Sequence, residues 1–208
     1  MSLHVGLLMV KADIRENMND VFTCFDYKPI LPSLKVSSLD DANKEMQYPR
    51  PDKPRELVHK AVAFLNGWTV ILDPELVMSL DSDKCLELSN QANAEVFSMI
   101  CEGGSGTYAF SLIKQNQQRV FFSVAGEVHQ NTGEPIPEET GINLSNIFED
   151  DILKIMARFG VNFSDLEAIN DFDIWELDES GMAPPQQEEI QPKITPEPEV
   201  KVWWKFWE

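Results

Sequence analysis

The sequence predicts an α+β domain: a mainly antiparallel sheet of five or six strands, three or four helices packed on one or both of its faces, and a disordered C-terminal tail. Three observations carry this reading. Asn66-Gly67 joins two apolar, β-leaning runs, 57–65 and 68–72, and both turn residues tolerate the positive φ of a type I′ hairpin turn. Three further β-leaning runs, 95–100, 107–113 and 119–124, are separated by Gly103-Gly104-Ser105-Gly106 and by Gln115-Asn116-Gln117, the pattern of an antiparallel meander. Two segments, 14–25 and 148–159, each place apolar residues in a single helical stripe suited to lying on a sheet.

Element by element, Leu3 to Val10 is a buried first strand: it lacks a basic n-region, and Lys11 and Asp13 interrupt it too early for a signal peptide or a membrane span. Asp13 with Glu16 three residues on reads as a capping box for a helix whose stripe is Ile14, Met18, Val21, Phe22 and Phe25. Residues 26–55 hold five prolines and no clear period, so they read as a long irregular connection with a helical turn at Asp40 to Met46. After the hairpin, Asp73-Pro74 reads as a cap with proline at the first helical position, starting one or two helices that end before Ala94. A polar loop follows the meander. Ser145 then caps a last helix with Phe148, Ile152, Ile155, Met156 and Phe159 on one stripe and Gly160 at its left-handed end. Asp171 to Leu177 reads as an edge strand.

The 208 residues carry 35 acids against 17 basic side chains, a formal charge of −18 and a pI near 4.4. A chain this acidic is repelled by polyanions, which argues against nucleic acid and against anionic membranes as ligands. Within 130–180, 13 acids stand against Lys154 and Arg158, a local −11. This stretch reads as a solvated acidic face, as a docking surface for a basic protein that includes Glu149, Asp150 and Asp151, or as a weak cation site; helix polarity also favours these three in a first turn. Cys24, Cys85 and Cys101 form no CxxC pair and cannot all pair with one another, which points to a reducing, cytoplasmic setting.

The sequence offers little catalytic chemistry. Gly103-Gly104-Ser105-Gly106-Thr107 lacks the last glycine and the strand-to-helix context of a nucleophile elbow, and it lacks the Lys-Ser/Thr of a phosphate loop. His4, His59 and His129 have no zinc spacing, and neither Asp171-Phe172-Asp173 nor Asp81-Ser82-Asp83 continues as a calcium loop. No metal and no cofactor is expected. His129, with Glu127 and Arg119, forms the one weak candidate set for acid–base chemistry, in a site imagined beside the 26–55 loop.

The composition shifts at Asp178. Residues 178–201 form an acidic, proline-rich linker, and 202–208 end the chain with Trp203, Trp204, Phe206 and Trp207. Such an aromatic cluster docks on its own domain, anchors in a partner's pocket, or touches a membrane interface beside Lys201 and Lys205, the last opposed by the acidic linker. Domain organisation is thus 1–177, 178–201 and 202–208.

In order, the first strand and helix, the Ala63 to Val70 hairpin, Ser105-Gly106-Thr107-Tyr108-Ala109-Phe110, Arg119-Val120-Phe121-Phe122 and Thr132-Gly133-Glu134-Pro135-Ile136-Pro137-Glu138-Glu139 before a terminal helix resemble a group of small bacterial cytoplasmic domains of unknown function. The resemblance spans roughly 3–177, without the 26–55 loop or the tryptophan tail. It implies a bacterial origin and a fold class, and it carries over no site residue. The expectation is a non-enzymatic, protein-binding module that uses an acidic face and an aromatic tail. Immunity or inhibition against a basic toxin is one concrete form. A small-molecule or hydrolytic domain is the alternative.

Overall fold

The computed structural model describes residues 3–47, 57–114 and 117–180. Among these residues, nine strands form one sheet: β1 (His4–Val10), β2 (Lys28–Val36), β3 (Leu57–Leu65), β4 (Trp68–Leu72), β5 (Val96–Glu102), β6 (Thr107–Lys114), β7 (Gln117–Val124), β8 (Glu127–Thr132) and β9 (Phe172–Asp178), in the order β2-β9-β3-β4-β1-β5-β6-β7-β8. Every pairing is antiparallel. Six short helices cover it: α1 (Met18–Cys24), α2 (Leu39–Glu45), α3 (Val77–Leu80), α4 (Ser82–Ala92), α5 (Glu149–Arg158) and α6 (Phe163–Glu167).

Strand side chains alternate between the two faces, and each face has its own core. On one, Leu7, Met9, Ala61, Phe97, Phe110 and Phe121 pack under α2, α5 and α6 through Ala42, Ile152, Ile155, Met156 and Leu166. On the other, Leu8, Val10, Val58, Val62, Ile71 and Val96 pack under α1, α3 and α4 through Phe22, Met78, Cys85 and Leu88. The sheet is therefore a middle layer buried on both sides.

The hairpin and meander stand as read. Asn66 and Gly67 take φ of 51° and 85°, and β5, β6 and β7 pair in sequence. The strand count exceeds the expected five or six for three reasons. The 26–55 connection contains β2, whose ladder slips between Pro29 and Leu31 and again between Pro32 and Leu34. Proline has no N–H to donate, and an edge strand accommodates that through bulges. The expected polar loop contains β8, exposed on both faces, so it carries no alternation to read. β9 lies between β2 and β3 rather than at an edge, with Phe172, Ile174, Trp175 and Leu177 buried.

The caps also differ. Asp13 binds Arg15, by Oδ2 to Nη2 at 2.7 Å, and a 3₁₀ turn (Arg15–Asn17) precedes α1. Asp73 turns inward, and α3 starts four residues later, after Leu76 in the left-handed region. α5 starts after Phe148 rather than at Ser145, which lies in a separate 3₁₀ turn (Leu144–Asn146); Asp151 Oδ2 accepts from the Phe148 N–H at 3.3 Å. Gly160 has the expected positive φ, 84°.

Candidate functional site

Arg119, expected as a weak acid–base candidate, is 3% exposed on β7. Its Nε and Nη2 donate to the two carboxylate oxygens of Glu139 at 2.7 and 2.8 Å. Nη1 donates to the carbonyls of Val120 and Thr132 at 3.1 and 2.9 Å, and Glu139 Oε1 also accepts the Ile136 N–H at 3.0 Å. This bidentate pair ties the Gly133 to Glu139 segment to the sheet. Gly133, at φ 84°, lies so close to the Gln118 carbonyl that any Cβ would collide with it. Nearly all of the guanidinium's hydrogen-bonding capacity is thereby used in holding the chain together.

His129 and Glu127 lie on exposed β8. The His129 ring sits 5.8 Å from Phe122, centroid to centroid. Among the described residues, the 26–47 part of the expected site and His129 lie far apart. Lys28–Val36 forms β2 at one edge of the sheet and His129 lies on β8 at the other, eight strand spacings or about 38 Å apart along the sheet.

A cluster that sequence reading missed lies beneath α1 and α3. Lys60, fully buried on β3, pairs with both Asp73 and Glu75. Asp73 Oδ2 accepts from the Ser79 N–H at 2.8 Å and from its hydroxyl at 2.9 Å. The Tyr27 ring centroid lies 5.5 Å from the ammonium. Burial alone would push the Lys60 ammonium down, but Asp73 and Glu75 outweigh it and hold the charge above the ordinary lysine range. Burial pushes the Tyr27 phenol up to about 12. Tyr27 Oη and Glu75 Oε1 are buried and have no hydrogen-bond partner among the described residues. The available signal was a lysine between Val58 and Val62, in a run that is apolar apart from its neighbour His59. A charge there needs a buried counter-charge.

The three cysteines are buried and unpaired. Burial raises the Cys24 thiol to about 11 and Cys101 to about 12, and raises Cys85 as well. A thiol held protonated is a poor nucleophile. Among the described residues, no three His, Cys, Asp or Glu side chains come together in a way that could hold a metal ion. The Gly103 to Gly106 cluster is the turn between β5 and β6. A groove of about 490 Å³ runs between Leu112, Phe159, Ile136 and Pro137, with Lys114 and Glu138 on its walls. Lys114 is engaged by Glu95 at 3.1 Å.

The acidic triplet opens α5. Asp150 is exposed; Glu149 Oε2 accepts the Leu3 N–H at 3.3 Å, and Asp151 binds Lys154 at 3.2 Å. Next to them stands Phe148, 57% exposed, the most exposed of the large hydrophobic side chains described. The acidity is not confined to this face. Residues 133–171, with α5 and α6, carry nine acids and two bases; the segments covering the opposite face, 12–27 and 74–95, together also carry nine acids and two bases. The linker and the aromatic positions Trp203, Trp204, Phe206 and Trp207 lie outside the described residues.

No protein-family model, no curated protein and no solved structure matches the chain. Among the described residues no helix is long and apolar enough to cross a membrane. The fold is thus an α+β three-layer sandwich with a mainly antiparallel sheet.

Proposed function

We propose that the protein is a non-enzymatic binding module for another protein of basic character. The observation that carries this reading is Phe148, a large aromatic side chain left in water among Glu149, Asp150 and Asp151. An exposed aromatic supplies the desolvated anchor that dominates binding energy, and surrounding carboxylates supply steering and choice of partner. The tryptophan-rich end, 202–208, is the second attachment point in this proposal; a linker of about 20 residues keeps it at high effective concentration once the first contact forms. A bacterial, cytoplasmic setting and an inhibitor-like role belong to the same proposal. Three free, buried thiols support the reducing compartment.

The test is capture from extracts of the source cell with full-length protein, with Phe148→Ser/Asp150→Lys, and with residues 181–208 removed. The expected result is a basic protein held by the first, released by moderate salt, and held at least about tenfold more weakly by each variant. A captured protein that stays bound at high salt and is indifferent to both changes overturns the reading.

A further inference from the structure

We propose that the aromatic end of the chain, residues 202–208, seats on its own domain, in the groove between the β6–β7 pair and the 134–138 segment. The inference goes beyond the basic-partner reading and does not depend on it, since it concerns where this segment rests when no partner is present. The groove holds about 490 Å³, roughly three times the cavity of about 150 Å³ that takes up a benzene ring, so two aromatic side chains fit. Its floor is Leu112, Ile136, Pro137 and Phe159. Phe159 is half-buried; its ring lies 4.5 Å from that of Phe97 and meets Trp68 edge-on at 5.9 Å. An aromatic cluster that begins in the core is thus left open at the groove, where an incoming ring extends it. The other hollows described suit such a segment less well. One beside Leu39, Met46, Phe163 and Leu166 is apolar but holds only about 130 Å³. In a second, Arg15 already covers the Phe64 ring at 5.1 Å, and a third is walled by Lys35 and Lys44.

Charge and reach select the occupant. Of the cations along the groove, Arg119 is spent on Glu139 and Lys114 on Glu95. Glu134 and Glu138 stand on its walls and meet no cation among the described residues. The chain as a whole carries −18, yet Lys201 to Trp207 holds two lysines and no carboxylate. This segment therefore brings to the groove both the rings that its floor accommodates and the positive charge that Glu134 and Glu138 lack. β9 finishes at the opposite end of the sheet from Lys114 and five strands away from β6, a separation of about 35 Å from strand spacing and rise. Residues 181–201 reach about 65 Å as an extended polyproline helix, so the linker spans the distance with slack. Such a tether holds its end at an effective concentration of about 1 mM, and a contact with a Kd of about 100 μM is then about nine-tenths formed. A partner that takes up the aromatic segment must first draw it out of the groove.

The experiment uses the purified full chain with no partner, so its failure leaves the capture test untouched. Of the five tryptophans, Trp68 and Trp175 are buried, and acrylamide quenching of the emission reports chiefly on the other three. The expected result is weak quenching in the wild type and a rise of at least about threefold in Glu134→Lys/Glu138→Lys, with thermal unfolding unchanged. Adding Lys201→Glu/Lys205→Glu to that variant restores the weak quenching. A second measurement is independent of those charge reversals. The native thiols are buried, and oxidised glutathione should close a disulfide within single chains of Glu138→Cys/Lys205→Cys about tenfold more often than in Leu80→Cys/Lys205→Cys, whose first cysteine is exposed over the opposite face. Wild-type tryptophans quenched as freely as those of the chain unfolded in urea overturn the proposal. So does quenching indifferent to the charges at 134 and 138 in a folded variant, equal cross-linking at 138 and 80, or a disulfide at 138 that joins two chains, which would seat the segment on a second copy.

Discussion

Two buried ionic clusters sit on opposite faces of the same sheet, and they are built to different standards. Arg119 meets Glu139 one to one, with both carboxylate oxygens engaged and two backbone carbonyls taking up the remaining guanidinium nitrogen. Lys60 faces two carboxylates with one ammonium, and Glu75 Oε1 and Tyr27 Oη find no partner among the described residues. The first cluster is neutral and nearly saturated, which suits a clamp that fixes a loop. The second is one negative charge in excess, enclosed, and incompletely hydrogen-bonded. Buried polar groups repay their desolvation only when fully partnered. The difference separates a cluster that closes structure from one that depends on a single side chain.

The largest effect that tests this contrast is expected from Lys60→Met. It leaves Asp73 and Glu75 facing each other in the core, and unfolding in urea should show a loss of about 5 kcal/mol, or a protein that does not fold at all. A loss below about 2 kcal/mol would mean that the two carboxylates do not rely on Lys60. Arg119→Met is expected to cost less, about 3 kcal/mol, because it strands one carboxylate that lies near the rim at 8% exposure. Proteolysis of the variant should open first within 133–142, the segment the pair holds. If Arg119→Met proves the more damaging of the two, the ranking of the clusters is reversed.

The smallest effect at neutral pH is expected from Tyr27→Phe, which removes a hydroxyl that has no partner. It should leave stability unchanged or raise it by up to about 1 kcal/mol. The sign of its pH dependence follows from burial. The phenol is raised from its ordinary 10 to about 12, so the native state holds this proton more tightly than the unfolded chain does. Its contribution is complete below pH 10 and is lost as the pH rises from 10 to 12. Over that window the wild-type protein should weaken relative to Tyr27→Phe, by about 2 kcal/mol in total. A destabilised Tyr27→Phe would show that the hydroxyl is partnered and that the Lys60 cluster is as complete as that of Arg119.

Legibility in the sequence follows the same division. The Asn66-Gly67 hairpin, the β5–β7 meander and the stripes of α1 and α5 were readable because each records in its local period which face is buried. Arg119 and Glu139 were visible as residues of a resembling motif, but their pairing, across 20 positions of chain, was not. His129 and Glu127 drew attention as a polar pair in a supposed loop, and they lie on a strand with no buried face to leave a pattern. The acidity of 130–180 suggested one charged face, but the segments over the other face carry the same balance of acids and bases. Phe148 was assigned to the buried stripe of the last helix and instead stands in solvent one residue before it.

The sequence by itself determined the class of fold, the antiparallel habit of its hairpins and the net acidity, since these depend on composition and on periods of two to four residues. Tertiary structure alone decided that β2 and β8 are the two edges, that β9 lies inside the sheet, and that Lys60 finds its counter-charges in Asp73 and Glu75. Strand order and buried pairing are set by which long-range contacts bury the most apolar surface and satisfy the most polar groups together. That is a property of the whole chain, and no local window of residues records it.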